Sequence, residues 1–275
     1  MTQMKTSSYE MKVAIIANGK PQSRRVASKL FNAFRDDPDF YLTKKNPDVV
    51  ISIGGDGMLL SAFHMYEKEL ARVRFVGIHT GHLGFFQEIL PEDISGFLDS
   101  YEKQEYTLQN IWPIDAIIDT VDGTYQLRGV NEIVIRGPHT HLTHLGIEID
   151  GSLVQEFYGD GLLVSTSMGS TAYNYALGGA IIPPQLDALQ ITPIAPSNTN
   201  AYRCFRSSIL YPANMTMCMT PIKRSCSDTL EIIVDGFDYL YEEVQKITIN
   251  RSGAGLHLVR FHDYNYWTKL KSKLL

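Results

Sequence analysis

Residues 48–70 read DVVISIGGDGMLLSAFHMYEKEL, and the fold follows from how that stretch is divided. The apolar run Asp48–Ile53, introduced by the turn-forming pair Asn46-Pro47, reads as a strand buried on both faces. Gly54–Gly57 breaks it, and Met58–Leu70 reads as the helix that leaves the turn. A buried strand that passes through a glycine turn into a helix is the repeating unit of a parallel α/β sheet. The neighbours on both sides repeat it. Lys12–Asn18 (KVAIIAN) is a second buried strand, followed by a helix over Gln22–Asp36 whose Val26, Leu30, Phe31 and Phe34 form one apolar face. Val73–Ile78 (VRFVGI) is a third strand, ending in the loop HTGHLGFF, and Pro91–Lys103 is a further helix with proline near its start.

Beyond residue 105 the pattern changes to short β runs punctuated by Asp-Gly. Asp122-Gly123, Asp150-Gly151 and Asp235-Gly236 each fall between such runs, where Asp-Gly is a favoured hairpin turn. Asp150-Gly151 joins HLGIEI to SLVQEFY, whereas the last pair could instead serve chemistry. One helical interruption is expected at Thr171–Leu177, and the tail DYNYWTKLKSKLL reads as a helix. The expected architecture is an α/β N-terminal domain with a parallel sheet over 1–105 and a β-rich, sandwich-like C-terminal domain over 106–262. The tail 263–275 would pack back on the first domain.

Composition narrows the function classes. Of 275 residues, 44% are hydrophobic and 20% charged, as in a globular protein with a full core. A net charge of -5 with no basic stretch leaves no phosphate-neutralising surface for duplex nucleic acid. Cys204, Cys218 and Cys226 have neither CxxC spacing nor an even count, which argues against a disulfide scaffold or a zinc site. No apolar run is long enough to span a bilayer, and the first ten residues lack a signal-peptide core. The expectation is a reducing, cytoplasmic setting. His139, His141 and His144 invite a metal reading, but they have no nearby carboxylate or cysteine and read as an exposed turn.

Two segments carry chemistry. In Gly54-Gly55-Asp56-Gly57 the glycines let the backbone come within hydrogen-bonding distance of a phosphate, and the following helix aims its first N–H groups at the same place. An aspartate there can accept a hydroxyl proton, and holding a nucleophile beside phosphates is most of phosphoryl-transfer catalysis. As a bare tetrapeptide it is equally a tight turn. It is neither a G-x-G-x-x-G fingerprint nor a Walker loop. The second segment, 159–173 (GDGLLVSTSMGSTAY), joins an apolar strand to a hydroxyl-rich turn. Ser170 or Thr171 would cap a helix there, and the same small donors with Tyr173 would also suit a nucleoside.

Taken together, IGGDG at 53–57, GIHTGHLGFF at 77–86, Asn131-Glu132, and GDGLLVSTSMGSTAYNYALGGAIIPP at 159–184 resemble the NAD kinase family from about residue 12 to 262. GGDG alone is shared with diacylglycerol and sphingosine kinases; the long GDG…STAY…GG block is far more specific. The resemblance implies phosphoryl transfer from ATP or another donor to the adenosine 2′-hydroxyl of NAD, with Mg²⁺ or another divalent cation. In that case Asp56 is the base, with Gly57 beside the nucleotide and Phe85 lining the adenine pocket. Asn131 and Glu132 hydrogen-bond the ligand's hydroxyls, and Asp160 binds a further polar edge. Thr171, Ala172, Tyr173 and Asn174 form a contact segment, and Ala195 and Tyr202 match further contacts. No protein side chains are implied as metal ligands.

Five positions depart from the family pattern. Met58 stands where a threonine is usual, Tyr158 replaces an arginine and would itself sit beside the dinucleotide, Ser167-Met168 replaces a proline and a small polar residue, and Pro183 replaces a histidine. Family partners are NAD and ATP, with no nucleic acid or membrane, and a homo-oligomer such as a tetramer. The competing readings are a GGDG-type lipid or sugar kinase and a non-catalytic dinucleotide sensor.

Overall fold

The buried run anticipated from the sequence is the strand Val49–Gly54, every residue of which is buried, with strands paired on both edges and helices packed on it. The computed structural model describes residues 10–81, 84–199, 203–222, 228–261 and 264–274. Its first elements are Met11–Ala17 (β1), Pro21–Arg35 (α1), Phe40–Leu42 (β2), Val49–Gly54 (β3), Asp56–Met65 (α2), Arg74–His79 (β4), Ile94–Glu102 (α3) and Thr107–Ile111 (β5). With the returning strand Leu256–Arg260 they build a six-stranded sheet in the order β2-β1-β3-β4-returning strand-β5. β2, β1, β3, β4 and the returning strand pair in parallel. The side chains of Val49, Ile51 and Ile53 share one cluster with Val26, Leu30 and Phe34 of α1 and Ile94, Phe97 and Tyr101 of α3. The helix α2, with Leu59, Leu60, Ala62 and Phe63 buried, packs on β3 as well.

Several details differ from the sequence reading. Phe31 is 49% exposed, because it sits about 100° around the helix from Leu30. The helix α2 starts at Asp56 rather than Met58 and gives way at Tyr66 to a 3₁₀ turn over Glu67–Glu69. Pro91 lies outside α3, which begins at Ile94.

Ile114–Thr120 (β6), Thr124–Gly129 (β7), Glu132–Arg136 (β8), Thr143–Ile149 (β9), Ser152–Thr166 (β10), Ala188–Pro196 (β11), Ile209–Pro212 (β12), Met217–Pro221 (β13), Leu230–Val234 (β14), Phe237–Tyr241 (β15) and Val244–Arg251 (β16) form an eleven-stranded sheet. Its hydrogen-bonded path runs β15-β14-β8-β10-β9-β13-β16-β6-β7, with β11 on β10 and β12 on β11. Ile114 of β6, Ile133 of β8, Phe157 of β10, Met217 of β13 and Ile232 of β14 nevertheless belong to one buried cluster. Strands several places apart can share a core only if the sheet curls, since each step along a flat one adds roughly 4.8 Å. All three Asp-Gly pairs lie between paired antiparallel strands, and Asp150-Gly151 and Asp235-Gly236 take positive φ at both residues, the backbone of a tight hairpin. A short 3₁₀ turn, Met168–Thr171, leads into the one-turn helix Tyr173–Ala176 (α4).

The chain divides into a first unit of Met1–Asn110 with Ala254–Leu275 and a second of Ile111–Gly253. Residues 254–262, which sequence grouped with the β-rich part, belong to the first unit. The returning strand pairs with β4 (His257 with Arg74, Leu258 with Phe75), and no local pattern distinguishes an apolar strand joining a parallel sheet from one more antiparallel strand. The C-terminal helix anticipated from the tail is Tyr266–Leu274.

Candidate functional site

In the first unit, β3 delivers the chain to Gly54, where an added Cβ would lie 2.8 Å from Asn18 Nδ2 and 2.9 Å from Met58 Cβ. Packing therefore requires glycine at this position. At Gly55 and Gly57 the same Cβ would meet nothing within 4 Å, so neither glycine is demanded by the fold. A tight turn explains the first glycine and leaves the other two over, as bare backbone facing open space.

Between them Asp56 opens α2, where the helix dipole favours a negative charge. Its Oδ2 accepts the Phe85 N–H at 2.8 Å and its Oδ1 accepts the Phe86 N–H at 3.1 Å. Lys273 of the C-terminal helix places Nζ 3.7 Å from Oδ2, with 27% and 26% of the two side chains reaching solvent. Each carboxylate oxygen keeps a second acceptor site beyond its N–H partner. Gly84 makes the approach possible, since a Cβ there would lie 1.8 Å from Oδ1. Gln87 Nε2 donates to Gly55 O at 2.9 Å, tying the same loop to the glycine turn. Phe85 is buried, with the Lys273 ammonium 4.9 Å from its ring centre and Tyr266 alongside. His79 Nδ1 lies 3.3 Å from Gly81 O, a bond within the loop; His82 falls outside the described residues.

In the second unit the start of β8 is organised by Asp235. Its Oδ2 accepts the Val130 N–H at 2.8 Å, and Oδ1 accepts those of Asn131 at 2.7 Å and Glu132 at 3.3 Å. The Asp235-Gly236 pair is thus both a hairpin turn and an anchor. Asn131 and Glu132 are each 8% exposed, and Asn131 Oδ1 and Glu132 Oε2 are buried without a hydrogen-bond partner. Unsatisfied buried oxygens are costly and rare in native structures, so each calls for a reason. Burial, then the charge of Asp235, pushes the Glu132 carboxyl up to about 8, with the Tyr173 backbone N–H acting the other way. At neutral pH this side chain is therefore a protonated carboxyl that can donate as well as accept.

Tyr173, 45% exposed, and the exposed Asp160 line one cleft of about 330 Å³ with Arg136, His139, His141 and Ile194. Gly169 lets the 3₁₀ turn lie against β8, because a Cβ would stand 2.0 Å from Asn131 O. Thr166 Oγ1, at the end of β10, donates to Val130 O at 2.7 Å. The structure thus brings Asn131, Glu132 and Tyr173 together, and Asp160 joins Tyr173 in the cleft. Thr171 and Ala172 are half-buried beside them.

Three of the four remaining expected residues are described. Asn174 is fully buried and spends its amide internally, donating to Ser170 O and Ala180 O and accepting from Thr192 Oγ1 at 2.6 Å. Tyr158 is packed on the β core, edge-on to His144 with ring centres 5.6 Å apart. Ala195 is exposed at positive φ on β11, and Tyr202 lies outside the described residues. Ser170 Oγ donates to Ser167 O at 2.7 Å and accepts the Ile182 N–H at 3.0 Å, and no side chain caps α4. His139 and His141 are exposed while His144 is buried, and among the described residues no three metal-ligating side chains converge. Sequence reasoning missed Arg260, Lys269 and Lys273. The four-residue spacing of the two lysines, which places them on one helix face, was the available signal.

The chain matches two family models, described as the ATP-NAD kinase N-terminal domain over residues 12–106 and the ATP-NAD kinase C-terminal domain over 130–255. It is 48% identical over 277 residues to an NAD kinase of Streptococcus thermophilus (strain CNRZ 1066), covering 100% of this chain and 98% of that one. Identity to an NAD kinase of Streptococcus pyogenes serotype M3 (strain ATCC BAA-595 / MGAS315) is 44% over 278 residues, with the same 100% and 98% coverage. Among solved structures, yeast NADH kinase complexed with NADH superposes with a TM-score of 0.81 at 19% identity, covering 98% of this chain and 88% of that one. An NAD kinase from Archaeoglobus fulgidus in complex with ATP gives 0.73 at 22% identity, covering 96% and 98%.

Proposed function

The chain belongs to the NAD kinase family, a family of phosphotransferases, and from that premise we propose that it moves the γ-phosphoryl group of ATP to the adenosine 2′-hydroxyl of NAD, with Asp56 as the base. The observation that carries this assignment is the carboxylate of Asp56 standing between two glycines that packing does not require. Bare backbone N–H groups at a helix start can face a triphosphate at close range. A carboxylate beside them can take the hydroxyl proton as the 2′-oxygen bonds to the γ-phosphorus. The bond from that phosphorus to the β,γ-bridging oxygen breaks, and ADP leaves with the electron pair. In the second unit, the free oxygens of Asn131 and protonated Glu132 suit ribose hydroxyls, offering two acceptors and one donor.

The hard, partly exposed oxygens of Asp56 also suit a magnesium ion that keeps phosphate oxygens and water as its other ligands. Such an ion supplies neutralisation of phosphate charge. No helix among the described residues is long and apolar enough to cross a membrane. The proposal includes a cytoplasmic setting and a homo-oligomeric assembly, with NAD and ATP as the small-molecule partners.

The direct test is incubation of folded protein with Mg²⁺, ATP and NAD, read out by an NADP-specific dehydrogenase. Formation of NADP is expected. Its absence, with NAD still bound, would leave the dinucleotide-sensor reading in its place.

A further inference from the structure

Three consecutive carbonyls of the loop that serves Asp56 are taken by two buried cations from the other end of the chain. Arg260, 2% exposed, donates from Nη2 to Phe85 O at 3.1 Å and from Nη1 to Phe86 O at 2.8 Å. Lys269, 7% exposed, donates from Nζ to Gln87 O at 2.7 Å. Glu88 closes the group, with Oε2 3.1 Å from Arg260 Nη1 and Oε1 accepting the Phe261 N–H at 2.7 Å. The Tyr264 ring lies under both cations, at 3.7 Å from the guanidinium carbon and 5.1 Å from the ammonium.

The same loop turns its N–H groups toward Asp56. The peptide between Phe85 and Phe86 has its carbonyl on Arg260 and its N–H on Asp56 Oδ1. Guanidinium, peptide and carboxylate therefore form one hydrogen-bonded chain, in which each link polarises the next. Burying two cations to hold three loop carbonyls is a poor way to gain stability, because apolar side chains would cover the same loop without the desolvation cost. What the cations provide that apolar residues cannot is direction.

We propose that Arg260 and Lys269 are positioning residues, which fix the orientation and acceptor strength of the Asp56 carboxylate through the 84–88 loop. This rests on the reading of Asp56 as the base. Burial, then the adjacent Arg260, lowers the Lys269 ammonium to about 7, against the opposing pull of Glu88 and Asp56, so its place under the loop carries a desolvation cost. Among the described residues Lys273 is the cation that pairs with Asp56, whereas Arg260 and Lys269 hydrogen-bond the loop carbonyls and act through the loop.

The test is steady-state kinetics of the full chain with NAD and Mg-ATP, comparing Lys269→Met and Lys269→Arg, each in the wild-type and in the Asp56→Asn background. In the wild-type background Lys269→Met should lower kcat by about tenfold or more, with KM for NAD within roughly twofold, because misplacing a reacting group taxes the chemical step. Lys269→Arg should recover most of the loss. In the Asp56→Asn background Lys269→Met should cost nothing further, since two residues acting through one group are non-additive. An unchanged kcat in a folded Lys269→Met, or an equal loss in both backgrounds, overturns the proposal. If Lys269→Met lacks a cooperative melting transition, Arg260→Lys reads the same loop, keeping one cation but losing the two-carbonyl grip, with the same expectations. Full turnover in Asp56→Asn itself would sink the base reading and this proposal with it. Lost turnover there beside an unaffected Lys269→Met would sink the positioning role alone.

Discussion

Glu132 shows how a single residue ties stability to pH. Its carboxyl titrates near 8 in the fold against 4.5 ordinarily, so across that window the folded chain holds a proton that the unfolded chain has lost. Stability therefore falls as pH rises from 4.5 to about 8, and no further penalty accrues above. Glu132→Gln removes the titration. Its thermal midpoint relative to wild type should climb through that window and level off, by an amount on the order of a few kcal/mol in stability. A difference that stayed constant with pH would mean the carboxyl is not held neutral. Gly84 makes a second prediction at this scale. A methyl group there would stand 1.8 Å from Asp56 Oδ1, so the loop or the carboxylate must move. Gly84→Ala should lower kcat by about tenfold or more while the protein still melts cooperatively. Wild-type kinetics in Gly84→Ala would show that the loop does not set the carboxylate. Asp56 was legible in the sequence because glycine is conspicuous there; Arg260 and Lys269 were not, because a lone cation after an apolar strand and another in a basic tail look like solvated charges.

Elements were legible where one periodicity applied throughout. β1, β3 and β4 emerged from apolar runs within one residue of their bounds, and the Asp-Gly pairs located three hairpins. The boundaries of α2 were less visible, because a helix that starts on Asp56 uses the glycine turn itself as its cap position. At the sheet edge, β15 exposes Phe237 at 43%, Tyr239 at 40% and Leu240 at 59%. An apolar edge strand exposed to solvent is a liability in an isolated chain and is usually covered. Light scattering at micromolar concentration should therefore return a multiple of the 31.0 kDa chain mass. A strictly monomeric mass would contradict the homo-oligomer.

At the scale of the whole molecule, the sequence conveyed two kinds of architecture but not how the chain is shared between them. The return of 254–275 to the first unit is a long-range pairing, and no local pattern announces a strand's partner. That return carries Arg260, Lys269 and Lys273 to the loop and carboxylate on which the proposed chemistry depends. The measurement that bears most directly on this account is paired. NAD affinity by calorimetry and NADP formation at saturating substrates would be determined for wild type and Asp56→Asn. As a base, Asp56 should be worth about 10²–10⁴-fold in turnover, with affinity changed only a few-fold, because the glycine backbone beside it is unchanged. A folded Asp56→Asn that keeps most of the wild-type turnover would contradict the account, whatever happens to affinity.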